Sequence, residues 1–234
     1  MALRSPDKIE VTLPNTVLPT ADGGVNGAWR FNYSGTGGAI AAANVPGGGF
    51  DLDVGAGEDG IAEIVGPLVY EVDAGLPVTV EAEIAVITDA SAAAAVFFGL
   101  TDRNSATEEI AIEDEDGTLA TNATDAVGVM LEREQDATWQ AVSVAGDVDG
   151  AQTALTDAAD VATGTYQKLQ VSIVKNIDGT AEARFYIDGK LLSHTRTGAV
   201  TSSVRLAPVI TLDARNAAVK VRVRNFRALG PGAE

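Results

Sequence analysis

The chain offers few residues from which an active site can be built. It holds one histidine, His194, and no cysteine. Composition therefore excludes thiolate nucleophiles, disulfides and thiolate metal sites. A serine hydrolase needs an imidazole beside its nucleophile. His194 lies in Leu191-Leu192-Ser193-His194-Thr195, which reads as the return strand of a hairpin. One histidine also excludes multi-histidine zinc or iron centres. Carboxylates are the remaining resource. With 33 acidic residues, glycoside hydrolysis stays open, because it needs only two. The densest run is Glu108-Glu109-Ile110-Ala111-Ile112-Glu113-Asp114-Glu115-Asp116-Gly117. If it is extended, Glu109, Glu113 and Glu115 share one face, and Asp114 and Asp116 the other. A general acid needs an apolar pocket to raise its pKa. No aromatic residue stands nearby, so the run reads as a solvated loop or hairpin. In a second run, Asp51 and Asp53 point the same way on a strand that enters a glycine-rich turn. Calcium prefers such hard oxygens, but the closing bidentate glutamate of a calcium loop is missing. The clusters Gly35-Thr36-Gly37-Gly38 and Gly47-Gly48-Gly49 lack the Gly-Lys-Ser/Thr of a phosphate loop and read as turns. No catalytic residue, metal or cofactor is expected. For sugar stacking the candidate is Trp139, which lies near a turn and reads either as a rim platform or as a core residue.

Strands must position these residues. From residue 25 the pattern has period two, broken by turn residues. Val78-Thr79-Val80-Glu81-Ala82-Glu83-Ile84-Ala85-Val86 alternates apolar with polar, as a half-buried antiparallel strand does. Val219, Val221, Val223 and Phe226 alternate with Lys220, Arg222 and Arg224, and the slip at Asn225 suggests a bulge or the strand's end. Asn176-Ile177-Asp178-Gly179 and Asp188-Gly189 separate alternating runs and predict hairpins, the latter with a type I′ turn. About twelve candidate strands and no long amphipathic helix predict an all-β antiparallel sandwich. Asp147–Thr163 is the best place for a helical turn or a long loop. One domain is expected over residues 25–234. Residues 1–24 hold Pro6, Pro14 and Pro19 and one alternating run with Ile9, Val11 and Leu13. They read as an edge strand plus a loop, or as an extended arm whose three apolar residues grip a partner.

Charge narrows the partners. Sixteen basic against 33 acidic residues give a formal net charge of −17. Such a surface repels phosphate, so nucleic acids and anionic membranes are not expected partners. The opening Met1-Ala2-Leu3-Arg4-Ser5-Pro6 lacks the apolar core of a secretory signal. No stretch reaches the roughly 20 apolar residues of a membrane-spanning helix.

The stretch from Tyr166 onward resembles the concanavalin A-like (laminin-G-like) jelly roll. The residues that carry the likeness are Tyr166-Gln167-Lys168-Leu169-Gln170-Val171-Ser172-Ile173, then Ala183-Arg184-Phe185-Tyr186-Ile187-Asp188-Gly189-Lys190-Leu191-Leu192, Leu206–Ile210 and Val221–Phe226. Upstream, Val78–Val86 and Ala95–Asp102 are similar to its earlier strands. The resemblance implies a fold that hosts lectins, glucanases and adhesion modules. Its glucanase branch implies Glu-x-Asp-x-x-Glu; here Glu71-Val72-Asp73-Ala74-Gly75-Leu76 ends on Leu76 instead of the third acid. In texture the chain is also similar to jelly-roll proteins on the heads of tailed viruses. The leading expectation is a non-enzymatic capsid decoration subunit, homo-oligomeric, bound to a major capsid protein or other virion subunits and made in the host cytoplasm. A carbohydrate-binding, lectin-like module that takes a glycan is the alternative, and a divergent glycoside hydrolase the second alternative.

Overall fold

A computed structural model describes residues 8–14, 24–26, 29–35, 37–56, 60–72, 76–89, 93–103, 110–115, 118–150, 153–155, 160–215 and 217–231. Among them there is no helix. The strands in chain order begin with β1 (Lys8–Thr12), β2 (Gly24–Asn26), β3 (Trp29–Tyr33), β4 (Ala39–Ala42), β5 (Phe50–Val54), β6 (Ile61–Val65), β7 (Tyr70–Glu71), β8 (Val78–Asp89), β9 (Ala94–Thr101) and β10 (Ile112–Glu115). They continue with β11 (Thr118–Thr121), β12 (Asp125–Glu132), β13 (Gln140–Ala145), β14 (Val148–Asp149), β15 (Thr153–Ala154), β16 (Gln167–Lys175), β17 (Ala181–Ile187), β18 (Lys190–Thr197), β19 (Arg205–Ala214) and β20 (Val219–Pro231).

Period-two patterning builds two sheets and leaves one face of each to be buried. The eight-stranded sheet runs β18-β17-β16-β8-β20-β5-β4, with β1 also on β20. The ten-stranded sheet runs β14-β13-β12-β9-β19-β6-β3-β2, with β15 on β13 and β7 on β19. Their inner faces close one core. It includes Val78, Val80, Ala82 and Ile84 of β8 and Val96, Phe98 and Leu100 of β9. Trp29, Phe98 and Phe226 form its aromatic centre, with Phe226 at 4.7 Å from Trp29 and 5.7 Å from Phe98 between ring centroids. This is the predicted antiparallel sandwich.

The slip at Asn225 is a bulge inside β20, not the strand's end. Pairing with β8 passes from Arg224↔Glu83 directly to Arg227↔Glu81. Asn225 takes φ 54°, a left-handed conformation that asparagine tolerates better than most residues. The extra residue resets the alternation. Phe226 turns into the core, while Arg224, Asn225 and Arg227 all stand on the outer side.

Three expectations change. Lys8–Thr12 is an edge strand of the chain's own sheet, in register from Lys8↔Pro231 to Thr12↔Arg227. Ile9 and Val11 pack against the core and Leu13 is buried in it. The three side chains expected to grip a partner are thus occupied within the chain; residues 1–7 and 15–23 lie outside the described residues. Second, residues 112–115 of the acidic run do form a hairpin, β10–β11, but its described part is packed down and not fully solvated. Ile110 and Ile112 fold onto the outer face of the ten-stranded sheet and bury Phe97, Met130 and Val142 there. Asp114 is carried along and is 4% exposed. This roof explains why β9 and β12 are buried on both faces. Third, Asp147–Thr163 contains two short strands, β14 and β15, where a helical turn or loop is expected. The type I′ turn is as predicted, with φ 52° at Asp188 and 77° at Gly189.

Candidate functional site: the outer face of the eight-stranded sheet

The residues expected to do chemistry fall in different places. Trp139 is 1% exposed, and its Nε1–H donates to Gln167 Oε1 at 2.9 Å. It bridges the two sheets and offers no ring face to a sugar, so the rim-platform reading is corrected to the core one. Asp51 accepts from Arg222 Nε at 2.5 Å and Nη2 at 2.9 Å. Asp53 lies 2.7 Å from Lys220 Nζ. Both aspartates are committed to cations on the neighbouring strand, which leaves no calcium ligand pair. These bonds raise the Lys220 and Arg222 pKa values against the lowering effect of partial burial. Asp73 and Glu108–Glu109 lie outside the described residues, and His194 stands in β18.

The strand register gathers a different set. Directly opposite residues share a sheet face. One row across the outer face is therefore Tyr186, Gln170, Glu81, Arg227 and Thr12. The next holds Lys168, Glu83 and Arg224. Where β20 bulges between these rows, the face sinks into an open groove of about 360 Å³, lined by Thr12, Glu81, Glu83, Lys168, Asn225 and Arg227. A smaller hollow of about 90 Å³ continues it past Glu81 and Arg227 to Glu10 and Leu229.

The groove is a lattice of ion pairs. Arg227 Nε donates to Glu81 Oε1 at 2.8 Å, and Lys168 Nζ lies 3.1 Å from the same oxygen. Arg224 Nε donates to Glu83 Oε2 at 2.6 Å, and Asn225 Nδ2 to Glu83 Oε1 at 2.8 Å. Partial burial opposes ionisation of Glu83, but these bonds outweigh it and hold its carboxyl below the usual range. Arg224 also lies over the Tyr166 ring at 3.8 Å, which fixes the guanidinium.

Carboxyls of the opposite tendency lie on the other sheet. Burial pushes Glu63 up to about 7 even though Asn32 and Thr211 donate to it. Burial also raises Glu132 to about 7 against the pull of Arg215. Arg215 ties the roof down: Nη2 reaches Glu113 at 2.9 Å and Glu132 at 3.4 Å, and Nη1 reaches Asp213 at 2.8 Å. Both are buried, Glu63 at 7% and Glu132 at 1% exposure, and neither lines the groove at the β20 bulge.

Sequence reasoning missed Lys168, Asn225 and Arg227 as site residues. Its one signal was the slip at Asn225.

No protein-family model matches this chain, and no curated protein matches it in sequence. Solved structures do match it in shape. The metal-free carbohydrate recognition domain of Emp46p is 10% identical over 95% of this chain and 97% of its own, with a TM-score of 0.58. The endo-β-1,4-glucuronan lyase of the fungus Trichoderma reesei is 11% identical over 89% and 93%, with a TM-score of 0.59. A protein of unknown function from Shewanella oneidensis MR-1 is 11% identical over 98% and 88%, with a TM-score of 0.51. At such identities the likeness establishes the fold alone. The chain has the concanavalin-like jelly-roll fold.

Proposed function

We propose that this concanavalin-like sandwich is a non-catalytic glycan-binding module that receives its ligand on the outer face of the eight-stranded sheet. The observation that carries the reading is the open groove at the β20 bulge. Four strands supply its floor with both donors and acceptors. Sugar hydroxyls both donate and accept, so alternating cations and carboxylates answer them. Its roughly 360 Å³ falls at the lower end of the range for small-ligand sites. The carbohydrate recognition domain and the glucuronan lyase of the same fold lend support. Turnover is not part of the proposal. A glycosidase acid must hold its proton near neutral pH. Glu83 is held ionised, and the acids raised to about 7 are buried away from the groove.

Affinity electrophoresis of the whole protein through gels containing neutral or acidic polysaccharides tests this. Retardation by at least one polysaccharide, unchanged by a chelator and without release of reducing or unsaturated ends, is expected. No retardation across the panel refutes binding, and cleavage refutes the non-catalytic part. A virion head-decoration role ranks second. Its support is the composition, and the arm it relied on has Ile9, Val11 and Leu13 packed on this chain's own core.

A further inference from the structure

We infer that the ligand of this groove is a carboxylate-bearing glycan, a polyuronate, whose carboxylate is taken by Arg227 and Lys168. The inference rests on the glycan-binding reading above and narrows it.

Charge distribution is the first argument. The chain carries 16 basic and 33 acidic residues. Yet the described strand side chains on this outer face are balanced. Lys168, Arg184, Lys220, Arg222, Arg224 and Arg227 stand against Glu10, Asp51, Asp53, Glu81, Glu83 and Glu182. The acidic surplus therefore lies elsewhere. The sheets of a sandwich are about 10 Å apart, more than the Debye length of roughly 8 Å at physiological salt. Exposed acids on the far surface of the sandwich lie beyond that distance from a ligand in front of it, and the solvent ions around them weaken their repulsion.

The second argument is how the ions are layered. Glu81 is the floor, with its side chain 14% exposed. The cations above it are open, Lys168 at 44% and Arg227 at 52%. Arg227 commits Nε to Glu81, and Glu10 stands 3.9 Å from Nη1. A guanidinium has five N–H donors in a planar fork, and an ammonium has three. One floor carboxylate cannot use them all. The remaining donors face solvent at the height where a ligand would lie. A planar carboxylate matches that fork in two-pronged fashion.

The third argument is what the groove lacks. None of its lining residues is aromatic, so stacking cannot supply affinity for a neutral sugar. Charge-assisted bonds are what it offers. The bulge makes them available, because in an unbulged strand of this sequence Arg224 and Arg227, three residues apart, would stand on opposite faces.

Calorimetric titration of the full chain with oligogalacturonate decides the matter. The companion ligands are the same oligosaccharide with its carboxyls reduced to alcohols, and a sulfated dextran oligosaccharide. Oligogalacturonate is expected to bind, and the reduced form to bind at least roughly tenfold more weakly, on the scale of one lost charge-assisted hydrogen bond. Arg227→Gln and Lys168→Gln should each weaken the acidic ligand by about tenfold or more on the same scale. Arg184→Gln, an exposed cation of the same face outside the groove, should leave it unchanged. Thermal melts matching the parent establish that each variant is folded. Equal binding of acidic and reduced oligosaccharides overturns this inference and leaves the glycan reading standing. Equal or tighter binding of the sulfated ligand overturns carboxylate recognition. Failure of all three ligands to bind overturns the inference, and the panel of polysaccharides then decides the broader reading separately.

Discussion

Replacing Glu63 by glutamine should stabilise the protein in alkaline solution and do nothing in acid. Glu63 projects from β6 on the outer side of the ten-stranded sheet, between Asn32 and Thr211, and is 7% exposed. Burial moves its carboxyl from 4.5 to about 7. Each pKa unit corresponds to about 1.4 kcal/mol, so holding the ionised form costs the folded state about 3 kcal/mol. The sign follows from the direction. Below pH 4.5 the group is protonated in both folded and unfolded chains and carries no penalty. Between 4.5 and about 7 the unfolded chain loses its proton first, so stability falls as pH rises, and above that window the full penalty stands. Glutamine has no proton to lose. Its Oε1 can still accept from Asn32 Nδ2, and its amide can donate to the Thr211 hydroxyl, which now holds the opposite role. Urea denaturation, followed by fluorescence of the buried Trp29 and Trp139, measures the difference. The variant should match the parent at about pH 4 and exceed it by roughly 3 kcal/mol near about pH 8.5. Glu132 titrates in both proteins, so the difference isolates position 63. Parallel curves across this range, or a variant less stable in alkali, would refute the reasoning.

Arg215→Ala removes the cation among Glu113, Glu132 and Asp213. It should destabilise by about 3–5 kcal/mol at alkaline pH, as stranding buried charges does. The loss should shrink in acid, where Glu132 regains its proton, as denaturation curves at the two pH values will register. Trp139→Phe keeps an aromatic ring but removes the indole N–H and orphans Gln167 Oε1, so a loss of about 1–3 kcal/mol is expected. The polysaccharide retardation of this variant should equal the parent's in the same gels. Asn225→Ala must hold φ 54° without the amide that bonds Glu83. It should cost about 1–2 kcal/mol, whereas Asn225→Gly should recover the backbone part, read as the difference between the two melts.

What was legible in the sequence was local. Asp188-Gly189 could be read as a turn because two residues set the backbone by themselves. The alternation of Val78–Val86 was enough to assign an inner and an outer face. The groove was not legible, because it depends on which strands lie side by side. Arg227 and Glu81 are 146 residues apart, and only the order β16-β8-β20 makes Lys168, Glu81 and Arg227 neighbours. Nor could the state of Glu63 be read. Its strand places it on an outward face, which normally means water. The partners that hold it there, Asn32 and Thr211, lie 31 and 148 residues away along the chain. Trp139 marks the same limit, since an aromatic beside a turn fits a platform or a core equally until its partner Gln167 is located.

The pairing of β1 with the far end of β20 carries a mechanical consequence. Lys8 stands opposite Pro231 and Thr12 opposite Arg227. A pull that separates Lys8 from Pro231 therefore enters the ladder at one end and meets its hydrogen bonds one at a time. Strands sheared along their length share a load; these are peeled. Under tension β1 should come away first, uncovering Leu13 and the outer edge of β20 while β8 still holds the rest of that strand. The domain would give at its own hem well before the sandwich tears.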